Sequence, residues 1–124
     1  MRKLKNRRDK RIMRHLRVRR KIKGDSKMPR LSVFRSTKQL YAQLIDDRTG
    51  ETIFGASTLT PKFIKSIKGD KPNKVELSKL FGKFFAEGAL EMMHEKVYFD
   101  RGGHKYHGRV KAFAEGAREK GLEF

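Results

Sequence analysis

The chain has no cysteine and no tryptophan, only three prolines, and no long apolar run. Without cysteine there is no disulfide framework, no thiolate nucleophile and no Cys-based zinc site. No stretch approaches the ~18 apolar residues of a membrane span, so no membrane partner is expected. The N-terminus, MRKLKNRRDK, lacks the apolar core of a secretory leader. A mitochondrial presequence would be rich in Arg and poor in acid, as residues 1–23 are. It would also be rich in Ser, whereas this segment is Lys-rich as well and has no Ser or Thr before Ser26. It reads as part of the mature protein. Acidic residues are the other scarcity, with 14 Asp and Glu against 32 Lys and Arg, a net +18 in 124 residues.

An excess of this size implies a polyanionic partner, because phosphates relieve the self-repulsion of the free chain. Charged residues make up 37% of the sequence, where a typical soluble domain has about 25%. Apolar residues, at 36%, still suffice for one small core. The charge is unevenly spread. Residues 1–30 hold 15 Lys and Arg against Asp9 and Asp25, a net +13, and residues 31–124 hold the remaining +5. The chain therefore reads as a basic RNA-binding arm, residues 1–29, and a globular domain, residues 30–124.

Within the arm, Ile12, Met13 and Leu16 can form a narrow helical stripe, with arginines around the rest of the cylinder. Like charges at i,i+4 oppose that helix, so the arm is expected to be loose when free and helical on RNA. A solvated tail would not need so many charges. A membrane-surface helix would want aromatic or several leucine residues, and the arm has no aromatic residue.

The domain opens after Pro29, expected to end any arm helix, with a strand over Arg30–Arg35 and a second over Leu40–Ile45. Asp46 to Gly50 is a turn by composition, and Thr52–Ser57 completes an antiparallel meander. Thr60-Pro61 has the form of an N-cap and first-turn proline, opening a short helix that ends by Gly69. Asp70 to Pro72 reads as a turn. Asn73 and Glu76 have capping-box spacing at the head of a long helix. On that helix Leu77, Phe81, Phe84, Phe85, Gly88 and Met92 share an apolar face. Gly82 and Gly88 would each weaken it by ~1 kcal/mol, so they imply close approach of a neighbouring element. A fourth strand is expected at Lys96–Phe99. A last helix follows from about Arg109 to Lys120, with Val110, Phe113, Ala114 and Ala117 inward and Gly121 at the C′ position. The expected fold is α/β (an α+β sandwich): an antiparallel β-meander plus a further strand, helices on one sheet face, and a basic N-terminal helical arm.

The loop Asp100 to Arg109 carries the chemistry. Gly102, Gly103 and Gly108 permit tight turns and close approach. Arg101, Lys105, Tyr106 and Arg109 supply phosphate and stacking contacts, and the loop leads into a helix N-terminus. The run DRGGHKYHGRV, the ending AFAEGAREKGLEF, the stretch RLSVFRSTKQLYAQLIDD and the basic arm occur together over essentially the whole chain. They resemble the bacterial-type large-subunit ribosomal protein number eighteen, with the poorest match between Leu59 and Pro72.

That resemblance implies a non-catalytic ribonucleoprotein component of translation, resident in the large subunit of the cytoplasmic ribosome. It implies binding of 5S rRNA and its attachment in the central protuberance. The implied partners are 5S rRNA, 23S rRNA and neighbouring proteins of the 5S subcomplex, with no small-molecule substrate and no cofactor. By position, the implied RNA contacts are Arg7, Arg8, Arg11, Arg14, Arg17, Arg19, Arg20 and Lys21 in the arm. Arg30, Arg35, Ser36, Lys38 and Tyr41 follow at the first hairpin, then Arg101, Gly102, Tyr106, His107 and Arg109 in the loop. Asp100 is expected to orient the loop through its arginines, since a carboxylate facing phosphate is repelled.

Other readings are weaker. His104 and His107 have a spacing that could share a metal, but no Cys or carboxylate cluster completes a site. His15 belongs to the arm and His94 to a helix C-terminus. Asp100 with His107 lacks the carboxylates of a two-metal nuclease centre, so no catalytic residue is expected. The serious alternative is a basic architectural DNA-binding protein, although no helix-turn-helix or zinc-finger pattern is present. Phe34 and Tyr41 should lie on the sheet face away from the core. Phe34 reads as packing, and Tyr41 as either packing or base stacking.

Overall fold

The computed structural model describes residues 6–21, 23–67, 69 and 72–124, with residues 18–21 described by their backbone. The elements in chain order are α1 (Arg7–Lys21), β1 (Arg30–Arg35), β2 (Leu40–Asp46) and β3 (Glu51–Ser57). They continue with α2 (Pro61–Ser66), α3 (Lys74–Glu91), β4 (Tyr98–Asp100) and α4 (Gly108–Glu119). The four-stranded sheet has the order β3-β2-β1-β4. The meander is antiparallel, with Val33 opposite Ala42 and Phe34 opposite Tyr41. β4 lies parallel to β1, Leu31 opposite Phe99. The expected α+β class, element order and meander hold.

Strand alternation sorts the two faces. Leu31, Val33, Leu40, Ala42 and Leu44 point inward and are buried under α3 and α4 with Phe63, Phe81, Phe85, Phe113 and Ala117. The rings pack edge to face or tilted, for example Phe63 on Phe81 at 5.3 Å and Phe81 on Phe113 at 5.5 Å. The two glycines of α3 have the expected reason. A Cβ on Gly82 would meet the Phe113 carbonyl oxygen at 2.1 Å, and one on Gly88 the Phe54 ring of β3 at 2.5 Å. Gly116 of α4 does the same from the other side, against the Lys79 carbonyl at 2.2 Å.

Asn73 caps α3 as expected, its side chain accepting from the Glu76 N–H at 2.9 Å. Met92 does not join the buried face: α3 stops at Glu91, and Met92 is its exposed C-cap. The fourth strand starts later than expected, at Tyr98, because Lys96 instead bridges to Glu123 near the C-terminus. The turn expected at Asp70–Pro72 falls largely outside the described residues.

One expectation about the arm changes. Its helix ends at Lys21, not at Pro29, and beyond it Gly24 and Pro29 are buried against the domain. Gly24 exchanges hydrogen bonds with Asp47, donating to the carboxylate at 2.7 Å and accepting from the Asp47 N–H at 3.0 Å. A Cβ on Gly24 would strike the Arg30 amide nitrogen at 2.2 Å. The domain also supplies partners for α1, which is helical in this structure.

Candidate nucleic-acid interface

Those partners lie in the loop after β4. Asp100 is wholly buried and accepts three hydrogen bonds: from Arg30 Nη1 at 2.8 Å, from the Gly102 N–H at 2.9 Å, and at its Oδ2 from His15 Nε2, also 2.9 Å away. Arg11 Nη1 donates to the Gly102 carbonyl at 3.2 Å, and Arg14 Nε to that of Gly103 at 3.1 Å. Gly103 has φ +78°, and a Cβ there would sit 2.4 Å from the Arg11 carbonyl oxygen. The glycine pair therefore does two jobs. It turns the loop, and it lets α1 lie directly on the loop backbone.

Several expected contact residues are thus internal. Arg30 is the clear correction. Its side chain is 4% exposed, held by Asp100 and by Asp47, whose carboxylate it meets through Nε at 3.0 Å and Nη2 at 3.0 Å. Its neighbouring carboxylates hold its proton above the ordinary arginine range against the opposing effect of burial, the largest single influence. Gly102 is buried, with both backbone polar groups spent on Asp100 and Arg11. Asp100 does orient the loop, but through Arg30, His15 and the Gly102 amide. Of the loop's own arginines, Arg101 is exposed and Arg109 bonds elsewhere. The Tyr106 hydroxyl accepts from Arg118 at 3.0 Å, and its ring meets Phe99 edge-on.

The remaining candidates gather on one side. Arg7, Arg8, Arg14 and Arg17 are exposed along α1, and Arg11 is partly covered with its guanidinium 5.6 Å from the Phe34 ring. The side chains of Arg19, Arg20 and Lys21 lie outside the described residues. Arg35 and Lys38 are exposed at the hairpin. Ser36 closes that hairpin with Gln39, and its carbonyl accepts from Arg109 Nη2 at 2.9 Å, which ties hairpin to loop. Burial, with Arg35 close by, makes the Arg109 guanidinium easier to deprotonate than usual. His107 is exposed at the N-cap of α4 and makes no capping bond.

Phe34 and Tyr41 do point away from the core, paired across the strands at 6.2 Å, and are 44% and 37% exposed. Phe34 also meets His104 edge-on at 5.9 Å. Arg11 and His104 therefore cover part of the Phe34 ring and leave a face open. Sequence reasoning missed His15, Asp47 and Gly24. His15 looked like any arm residue, and the pairing of Asp47 with Arg30 spans a strand pair that no local spacing reveals.

Charge is sorted across the molecule. On the helical side lysines meet glutamates: Lys79 and Lys83 with Glu119 at 3.0 and 3.3 Å, and Lys120 with Glu87 at 2.8 Å. Lys79 most of all, and Lys83 with it, hold the Glu119 carboxyl below its usual range. On the other side, no ion pair among the described residues engages Arg7, Arg8, Arg11, Arg14, Arg17, Arg35, Arg101 or Arg109. Where these arginines have hydrogen-bond partners, the partners are backbone carbonyls. Among the described residues no group of three or more His, Cys, Asp or Glu could hold a metal ion, and no helix is long and apolar enough to cross a membrane.

The family model for ribosomal L18 of archaea, bacteria, mitochondria and chloroplasts matches residues 5–124. A large ribosomal subunit protein uL18 from Thermotoga neapolitana is 51% identical, covering 96% of this chain and 96% of its own. The protein of that name from Aquifex aeolicus is 50% identical over the full length of both. A third, from Clostridium kluyveri, is 54% identical over 90% of this chain and 89% of its own. Identity at this level along the whole chain takes in arm, hairpin and loop together, the parts that the unpaired arginines occupy. The chain belongs to the ribosomal L18 family: it is a structural, non-enzymatic protein of the large subunit of the cytoplasmic ribosome, with rRNA and ribosomal proteins as its partners.

Proposed function

We propose that the chain binds 5S rRNA and helps attach it to the large subunit in the central protuberance. The observation that carries this reading is the sorting of charge. Lysines on the α3–α4 side are neutralised within the protein, and the arginines of α1, the hairpin and the loop keep their charge for phosphate. Arg109 joins hairpin and loop, and α1 lies on the loop, so three elements present one continuous basic surface edged by Phe34 and Tyr41. An irregular surface of arginines and aromatic rings suits folded RNA, which is read by shape, phosphate contact and stacking. The choice of 5S rRNA follows from the resemblance of DRGGHKYHGRV and its flanking segments. 23S rRNA and the other proteins of the 5S subcomplex are the further partners.

The test is to recover the protein from cell extract at moderate salt and sequence the bound nucleic acid. Enrichment of 5S rRNA is expected. Recovery of duplex DNA, or of rRNA without 5S, would overturn the proposal.

A further inference from the structure

Between α1 and the loop lies a cleft of about 290 Å³, lined by Arg14, Arg17, Arg101, Gly103, His104 and Lys105. We infer that this cleft is a seat for one phosphate group of the RNA backbone, gripped jointly by Arg17 of the arm and Arg101 and Lys105 of the loop. The inference rests on the RNA-binding reading above and deepens it. It names one place where arm and domain hold the same ligand group.

The lining contains four cationic side chains and no acid. The nearby carboxylate of Asp100 is buried and already engaged by Arg30, His15 and the Gly102 amide. Arg14 spends its Nε on the Gly103 carbonyl, which fixes its guanidinium at the cleft. Arg17, Arg101 and Lys105 are exposed and make no side-chain hydrogen bond or ion pair among the described residues. Cations facing one another from two elements without a counter-charge repel, and an oxyanion between them converts that repulsion into charge-assisted hydrogen bonds.

His104 makes the seat observable. Its ring lines the cleft, and its Nε2 is buried without a hydrogen-bond partner. Burial first, and then the charges of Arg11, Arg35, His15 and Arg14, lower its pKa to about 4. A phosphate in the cleft would offset that field and draw the proton affinity of His104 back up. A second consequence is mechanical. Because one phosphate would bridge the two elements, RNA binding would fasten α1 to the loop.

The experiment uses the full chain with isotope-labelled histidine and inorganic phosphate as the probe, titrated at constant ionic strength against chloride. The His104 ring resonances should move saturably while those of His94 stay in place. Arg17→Gln and Arg101→Gln, at exposed positions without described partners, should each weaken the response several-fold, and together abolish it. No saturable movement, or the same movement in the double variant, would overturn the seat.

A second arm measures 5S rRNA affinity against salt. The double variant should lose ~0.7–0.9 from the log–log slope, one phosphate's worth. A normal slope beside an abolished phosphate response would mean that the cleft takes free phosphate, and would overturn the assignment to RNA. Failure of the unaltered chain to prefer 5S rRNA over random RNA would count against the function proposed above. The histidine titration would still decide the seat.

Discussion

Asp100 has no exposed surface and accepts from a guanidinium, an imidazole and a backbone amide, while the Arg30 it faces is itself almost wholly buried. Breaking such a pair leaves a charge stranded in a poorly solvating site, which costs more than the pair itself contributes. Asp100→Asn should therefore lower unfolding free energy by about 3 kcal/mol or more, read from urea denaturation. A loss under about 1 kcal/mol, the size of an exposed pair, would contradict the structure here.

The residue scale also predicts a pH response. His104 has a folded pKa near 4, below its usual 6.5. Between those values the unfolded chain binds the proton and the folded chain does not, so stability falls as pH drops through that window. His104→Gln should remove that part of the acid-side loss between pH 6.5 and 4. An unchanged stability profile over that window would show that His104 is not held neutral.

At the scale of elements, α3 and α4 end in the same way, but with different residues. In α4 the Gly121 N–H bonds to the Arg118 carbonyl and the Leu122 N–H to that of Ala117, with Gly121 at φ +106°. In α3 the Met93 N–H bonds to Leu90 and the His94 N–H to Ala89, so Met93 takes the left-handed position at φ +65° and is 91% exposed. Both are Schellman caps, and only the glycine version could be read from sequence. Met93→Gly should raise stability by about 1 kcal/mol or less, since the left-handed conformation costs an L-residue roughly 1–2 kcal/mol. A lower thermal midpoint in the variant would contradict this.

Gly82 predicts the opposite sign. Gly82→Ala gains ~1 kcal/mol of helix propensity, yet its methyl would occupy the space of the Phe113 carbonyl. Net destabilisation of about 1–3 kcal/mol is expected, as for an overpacked core, and a stabilised variant would refute the close crossing.

Other elements differ in how far they could be read ahead. β1, β2, α3 and α4 were legible because each has a full period of apolar residues facing one core. β4 pairs over three residues, too few to show alternation, and so its start was misplaced. The docking of α1 left no signal, because its arginines bond to glycine carbonyls, which have no side-chain signature. Arg30 misled for a related reason. An arginine beginning a strand looks like a surface contact until the fold brings Asp47 and Asp100 to it.

For the whole molecule, the division into arm and domain needs refining. Gly24 is bonded into the domain and α1 rests on its loop, so arm and domain meet along a shared basic surface. The exposed arginines of α1 should contribute affinity by neutralising phosphates. The hairpin and loop should determine which RNA is held. The measurement that tests this most directly is the salt dependence of binding to 5S rRNA and to random RNA of equal length. It compares the full chain with the variant carrying Arg7→Gln, Arg8→Gln and Arg17→Gln, three exposed residues that leave the docking bonds of Arg11, Arg14 and His15 intact. Every phosphate that is no longer neutralised should take ~0.7–0.9 off the log–log slope. A clearly flatter slope on both RNAs is therefore predicted, with the preference for 5S rRNA retained. An unchanged slope, or a preference that disappears with the arm's arginines, would contradict it.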